Sequence, residues 1–377
     1  MFSKLLTEAS QLPHVCAAST QEFQKHSALL LQHVNDTLSR HPNILEITGN
    51  TKHQTMLDNH MYHAKFMLTV LYFNNYPLLC RVLVWFYRTY QSRGYSDSYF
   101  PILFAAWQRA IDRHLPPTAA EEIILKYQWL MAKHNTLLQL AQNTTAFSFS
   151  DFGLDDSLTD EILTSCRESL LNGDYHSCLA LSSADTPEEI ARLYCCILQP
   201  CLYSIGSLWE QDEISAAQEH LATATVARIM QMQYSKISSF NKHMKGPALI
   251  TAAPGEYHSL GANMASDLLE LDNWQTYFLG GNTPIPDLLT LLHEKKPFLL
   301  GVAVVLPFNL IKVHDLIKAI RCDQHLSRIR ILIGGPAFFL DHTLCQQLGA
   351  DGYATDSQSA VTLADAWWQA RQSEENS

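Results

Sequence analysis

Apolar residues recur at helical spacing through roughly the first 240 positions, and the pattern changes after Lys245. Helices are predicted throughout the first 141 residues, then over Leu158 to Leu171, Tyr175 to Leu181, Thr186 to Gln211 and Ile214 to Ile237. The start at Thr186-Pro187-Glu188-Glu189 combines a hydroxyl cap, a first-turn proline and acidic residues beside the amino end. Beyond Lys245 short apolar runs take over. Ala248 to Ala253, Trp274 to Leu279, Phe298 to Leu306, Ile329 to Ile333 and Gly352 to Ala354 read as strands separated by helical stretches. Phe298 to Leu306, with Gly301 and three valines, has the continuous hydrophobicity of a parallel strand covered on both faces. The fold class expected is therefore α and α/β. A helical amino-terminal domain and a four-helix unit precede a Rossmann-like (flavodoxin-like) sheet of five parallel strands.

Breaks in the pattern place the domains. Gln142 to Gly153 interrupts helical periodicity and Ser238 to Gly246 separates the four-helix unit from the sheet, giving domains at 1–146, 154–240 and 246–377. At 377 residues there is room for a core in each. A balance of 26 basic against 37 acidic residues, net −11, disfavours direct nucleic-acid binding, and no basic stripe is visible. The nine scattered cysteines lack zinc-site spacing and read as reduced thiols of a cytoplasmic protein. No charged-then-apolar leader opens the chain, and the longest apolar run is too short to span a bilayer, so no membrane role is expected.

Candidate chemistry concentrates on Glu256-Tyr257-His258-Ser259-Leu260-Gly261, the loop after the first predicted strand. Loops at the carboxyl ends of such strands bind ligands, and a glycine there lets backbone approach a large flat molecule. Glu256 is placed to hydrogen-bond one nitrogen of His258, leaving the other open to a metal. The loop resembles the Asp-x-His-x-x-Gly signature of cobalamin-binding domains, with Glu in place of Asp. The order of elements and the pairs Gly280-Gly281 and Gly334-Gly335 resemble that family from about Lys245 to Ala370. The resemblance implies that His258 is the lower cobalt ligand, that Glu256 orients it, and that Gly261, Gly334 and Gly335 make room for the cofactor and its nucleotide tail. One departure stands out: relatives carry Ser-x-Leu or Ser-x-Thr on the third strand, whereas this chain has Ala303-Val304-Val305, so a hydroxyl contact to the tail is missing at Ala303 and Val305.

Upstream, Trp209 is followed after nine residues by Glu219-His220. This pattern resembles the helical cap of light-sensing cobalamin proteins of the CarH type, and implies that Trp209, Glu219 and His220 cover the upper face of adenosylcobalamin. Those DNA-binding sensors carry a histidine directly after the tryptophan, where this chain has Glu210. The upper ligand after illumination is then open between water and His220.

The amino-terminal region holds nine of the 17 histidines together with Trp85, Trp107 and Trp129. His60 and His63 fall three apart on one helical face, followed by a Tyr76-Pro77 helix start, an aromatic helix with Arg81 and Arg88, and a stop at Arg93-Gly94. From chemistry alone such a bundle suits a metal, a haem or a linear tetrapyrrole, although most histidines on amphipathic helices are surface or satisfied core residues. The succession of elements is similar to that of photocobilins, light receptors that combine cobalamin with biliverdin. That similarity implies biliverdin as a second chromophore, with His60, His63, Arg81, Arg88 and Arg93 as candidate contacts chosen for their chemistry. Noncovalent binding is favoured over a thioether to Cys16 or Cys80.

The leading expectation is a photosensor that is not an enzyme: it binds adenosylcobalamin base-off with His258 on cobalt, forms a light-dependent homo-oligomer and signals to a separate output protein. Alternatives are a corrinoid methyl carrier serving a methyltransferase and a light-insensitive cobalamin sensor.

Overall fold

The computed structural model describes residues 1–49, 51–143, 160–180, 184–339, 341 and 343–375. The expected breaks at 146 and 154 lie outside the described residues. By internal contacts the chain divides into two compact units, Met1–Thr145 with Glu210–Asp212, and Ala146–Trp209 with Glu213–Ser377.

The first unit is helical: α1 (Phe2–Ser10), α2 (Ala17–Ser39), α3 (Ile44–Ile47), α4 (His53–Phe73), α5 (Tyr76–Ser92), α6 (Tyr99–His114) and α7 (Pro117–Gln142). The predicted start of α5 holds: Asn75 Oδ1 accepts the Leu78 N–H at 2.9 Å and Pro77 occupies the first turn, where its missing N–H costs nothing. The preceding turn is made by Asn74 at φ 49°, a left-handed position asparagine tolerates. Aromatic side chains fill the interior, with Phe23, Phe66, Tyr99, Phe104, Trp107 and Tyr127 fully buried.

The second unit begins with α8 (Asp160–Leu171), α9 (Tyr175–Ala180), α10 (Pro187–Arg192), α11 (Gln199–Glu210) and α12 (Ala216–Phe240). The predicted single helix from Thr186 to Gln211 is interrupted by a π-helical segment, Leu193–Leu198. Thr186 and Ser215 both form reciprocal capping boxes, with Glu189 and Gln218 respectively. The rest alternates strand and helix: β1 (Lys245–Ala252), α13 (Leu260–Leu271), β2 (Trp274–Phe278), α14 (Ile285–Lys295), β3 (Leu299–Ala303), α15 (Leu310–Cys322), β4 (Arg330–Gly334), α16 (Leu344–Leu348), β5 (Gly352–Ala354) and α17 (Ser357–Glu375).

The sheet is wholly parallel, in the order β2-β1-β3-β4-β5. Ala248, Leu249, Leu299, Leu300, Ile331 and Ile333 are fully buried, as a strand covered by helices on both faces requires. In this order the connections reverse direction between β1 and β3, which opens a crevice at their carboxyl ends. The predicted third strand is shortened there: Val304 still donates its N–H to the Gly334 carbonyl, but Val305 and Leu306, although apolar, turn their N–H groups to the Glu256 carboxylate. Among the described residues no helix is long and apolar enough to cross a membrane.

Candidate functional site

The crevice is closed by Glu256. Gly255, at φ 83°, turns the chain out of β1, and Asn282 from the loop after β2 holds that turn by accepting the Gly255 N–H at 3.0 Å. The Glu256 side chain then points inward and is fully buried. Its Oε1 accepts the imidazole Nδ1–H of His258 at 2.5 Å and the His258 backbone N–H at 3.2 Å. Its Oε2 accepts the N–H groups of Val305 at 3.2 Å and Leu306 at 2.9 Å, and the side-chain amide of Asn309 at 3.2 Å. One carboxylate thus ties the β1 loop to the β3 loop and fixes the imidazole between them.

Burial alone would raise the Glu256 carboxyl, but the bonds from His258 and Leu306 outweigh it and hold the group below the usual carboxylate range. His258 moves the other way, raised by its bond to Glu256 against partial desolvation, with the charges of Glu256 and Glu219 adding to the shift. Bonding Nδ1 to the carboxylate leaves Nε2 with the lone pair, and Nε2 has no protein partner among the described residues. The side chain is 57% exposed, so Nε2 is open to a ligand. A β-carbon built on Gly261 or Gly280 meets nothing within 4 Å, so the rim of the crevice is clear. An open imidazole on a buried carboxylate offers a single nitrogen, which suits a metal that brings its other ligands with it, as cobalt does in a corrin.

The other predicted residues divide. Glu219, in the first turn of α12, acts electrostatically on His258, so the cap residue and the loop residue belong to one neighbourhood. Glu219 Oε2 accepts His220 Nδ1–H at 2.6 Å, and His220 is 80% exposed. Trp209 is half-buried near the end of α11. Val305 contributes through its N–H, which is indifferent to its side chain, while Ala303 closes β3 and pairs with Gly334. Gly335 sits at φ 105°, where a β-carbon would lie 2.5 Å from the Val304 carbonyl oxygen; a β-carbon on Gly334 would lie 3.2 Å from the Ala354 carbonyl oxygen.

In the first unit His60 and His63 are both buried. His60 Nδ1–H donates to Asn35 Oδ1 at 2.6 Å and its Nε2 accepts from Tyr99 at 3.1 Å, while His63 Nε2 meets the Tyr127 hydroxyl at 3.2 Å. Desolvation lowers His60 to about 4 and His63 to about 3. The arginines do not join them. Arg88 pairs with Glu210 at 2.7 Å, Arg93 with Asp212 at 3.8 Å, and Arg81 lies over the Phe2 ring. Cys80 is buried with its thiol pushed up to about 12, and Cys16 caps α2.

Sequence reasoning missed Asn282, Asn309 and the amides of Val305 and Leu306. The two amides carry no sequence signal at all, because any residue except proline supplies an N–H.

Residues 246–362 match the profile of the B12 binding domain, and residues 162–232 match a second B12 binding domain profile. These matches define the second unit as a cobalamin-binding module. Among curated proteins the chain is similar to dimethylamine corrinoid protein 3 of Methanosarcina acetivorans, 21% identical over 214 residues that make up 56% of this chain and 95% of that protein. It is also similar to the HTH-type transcriptional repressor CarH of Myxococcus xanthus, 26% identical over 154 residues, 40% of this chain and 50% of the repressor. A solved structure, the monomethylamine corrinoid protein of Methanosarcina barkeri, aligns with TM-score 0.48 at 18% identity, covering 55% of this chain and 98% of that one.

Proposed function

We propose that the second unit holds a corrinoid, whose cobalt His258 Nε2 would ligate, and that it serves as a corrinoid carrier for a separate partner protein. The observation that carries the ligand assignment is the Glu256–His258 pair, with one imidazole nitrogen fixed and the other open. The carrier role is supported by similarity to dimethylamine corrinoid proteins over almost their whole length. A bound corrinoid would supply a cobalt–carbon bond able to pass on its alkyl group or to break in light. The chain's own part is to present the imidazole, keep Glu256 charged behind it, and leave space at Gly261 for the macrocycle, while Gly334 and Gly335 let the end of β4 lie close to the Ala354 and Val304 carbonyls. Ala303 and Val305 offer that tail no hydroxyl.

A second reading, the light sensor, is favoured by the cap. Trp209 and the Glu219–His220 pair follow the CarH pattern, Glu219 acts on His258, and the repressor CarH is a relative. In that reading the cofactor is adenosylcobalamin, the homo-oligomer changes with light, and the first unit takes biliverdin. To offer a nitrogen to a bilin, His60 must first give up a hydrogen bond to Asn35 or Tyr99, and His63 its bond to Tyr127 if Nε2 is the nitrogen offered.

Absorption spectra of the full chain loaded with adenosylcobalamin, and separately with biliverdin, test both readings. Histidine-ligated cobalamin is expected in the wild type and lost in His258→Ala; an unchanged spectrum in that variant removes the ligand assignment. For the carrier, green light leaves oligomeric state unaltered, and the chain loaded instead with methylcobalamin passes its methyl group, through a partner methyltransferase, to a nucleophilic acceptor and is left with cob(I)alamin. A change of oligomeric state on illumination, abolished by Trp209→Ala, selects the sensor instead.

A further inference from the structure

We propose that the cleft bounded by α12, α13 and the end of β2 is a binding site for a small alkylammonium ion. The cleft has a volume of about 290 Å³ and its walls include Met230, Tyr234, Asp267, Glu270, Thr276 and Phe278. It is separate in kind from the His258 loop, and the inference does not rest on the corrinoid reading.

Charge makes the first part of the argument. Asp267 and Glu270 are each only 5% exposed. Asp267 Oδ2 accepts the Tyr194 hydroxyl at 2.9 Å, and Glu270 Oε2 accepts from Thr276 at 3.0 Å and from Tyr234 at 3.4 Å. Neither carboxyl has a lysine, arginine or histidine partner among the described residues, in contrast to Asp272 and Asp365 nearby in sequence and fold, which share Lys245. Both also occupy the last turns of α13, where the helix dipole disfavours an anion. Two buried acids with hydroxyl donors and no cation are a costly arrangement that a positive ligand relieves.

The walls decide which cation. Tyr234 and Phe278 are 48% and 37% exposed and, with the Met230 thioether, offer polarisable surface of the kind that attracts organic ammonium groups. A bare divalent metal is the poorer fit, since two carboxyl groups with aromatic neighbours fall short of the oxygen shell it requires. Alkylammonium N–H groups have the two carboxyls to donate to, and the alkyl part has the aromatic rings.

Geometry is joined by a titration. Burial raises Asp267 to about 7, with the Tyr194 bond opposing and the Glu270 charge adding to the rise. The groups facing Asp267 are Tyr194 from the π-helical segment and Glu270 on its own helix, with Tyr234 of α12 beyond Glu270. A proton therefore stands where the cation would go, and binding at neutral pH expels it.

Calorimetric titration of the full chain with propylammonium and tetramethylammonium chloride, in two buffers of different ionisation enthalpy, tests the proposal. The expected result is saturable binding with proton release that grows as the pH is lowered toward and through 7. Asp267→Asn and Glu270→Gln should each weaken binding by about tenfold. Phe278→Ala, at a partly exposed position outside the core, should weaken it by about threefold with an unchanged melting temperature, which separates lost binding from lost fold. Absence of saturable binding to the wild type, or equal competition by potassium at the same concentration, overturns the proposal. So does binding that none of the three substitutions alters.

Discussion

Glu256 answers five donors from two loops, a density of hydrogen bonding that only an ionised carboxylate can accept without conflict. Glu256→Gln would turn an amide NH2 toward one of these donors. The expected cost is about 1–3 kcal/mol in stability, together with a cobalamin affinity lower by about 10- to 100-fold as the imidazole loses its fixed tautomer. The pH behaviour follows from the two shifts. Glu256, lowered, adds stability above pH 4.5 that is lost as pH falls through its folded pKa. His258, raised, adds stability below pH 6.5 that is lost as pH rises through its folded pKa. In the cofactor-free chain an NMR titration should therefore place the His258 midpoint above 6.5, and Glu256→Gln should bring it back toward that value; an unmoved midpoint would remove Glu256 as its cause. At this scale half of the site was legible. Glu256 and His258 are two residues apart, so their spacing is visible in the chain. The groups that hold Glu256 lie 49 to 53 residues away, and two of them are backbone amides.

At the level of elements, the strands were legible because parallel strands buried on both faces are written as short apolar runs between turn residues. Their ends were less so. Val305 and Leu306 continue the hydrophobic run of β3 but bend away to serve Glu256, a demand set by another loop and invisible in local pattern. The π-helical turn at Leu193–Leu198 is likewise silent, since it keeps helical composition while shifting register by a residue. The glycine pair after β4 yields a sharper expectation than its appearance as a pair suggests. Gly335 has a positive φ of 105° and a β-carbon there would run into the Val304 carbonyl, so Gly335→Ala should cost about 1–3 kcal/mol in backbone strain, before that clash is added. Gly334 has ordinary backbone and a looser neighbour, so Gly334→Ala should cost less. Thermal melts of the two variants compare them directly, and equal losses would mean that the conformation at Gly335 does not distinguish it.

Across the whole molecule the two units differ in how they should respond to acid, and the first owes its response to histidines that sequence reading assigned to a ligand. His60 and His63 form a three-apart pair on one face, as expected, yet that face is turned into a fully packed aromatic interior where each ring is hydrogen-bonded as a neutral base. Helical periodicity locates a buried face; it does not say whether the histidines on it meet a ligand or a tyrosine hydroxyl. The consequence is measurable. Desolvation holds His60 near 4 and His63 near 3, against an ordinary value of 6.5. Between those limits the unfolded chain binds more protons than the folded one, so stability rises with pH and falls on acidification. The loss begins below pH 6.5 and accumulates at about 1.4 kcal/mol per pH unit for each ring until the folded pKa is reached. By pH 5.5 the two together should remove about 3 kcal/mol from the first unit. Amide hydrogen exchange over α4, compared at pH-corrected intrinsic rates, reports that unit separately from the second. His63→Gln retains a polar partner for Tyr127 but does not titrate. Whatever it costs at neutral pH, it should reduce the slope of stability against pH by about half. An undiminished slope would mean that His63 is not the buried neutral base its surroundings require, and would return it to the ligand role that its place in the sequence suggests.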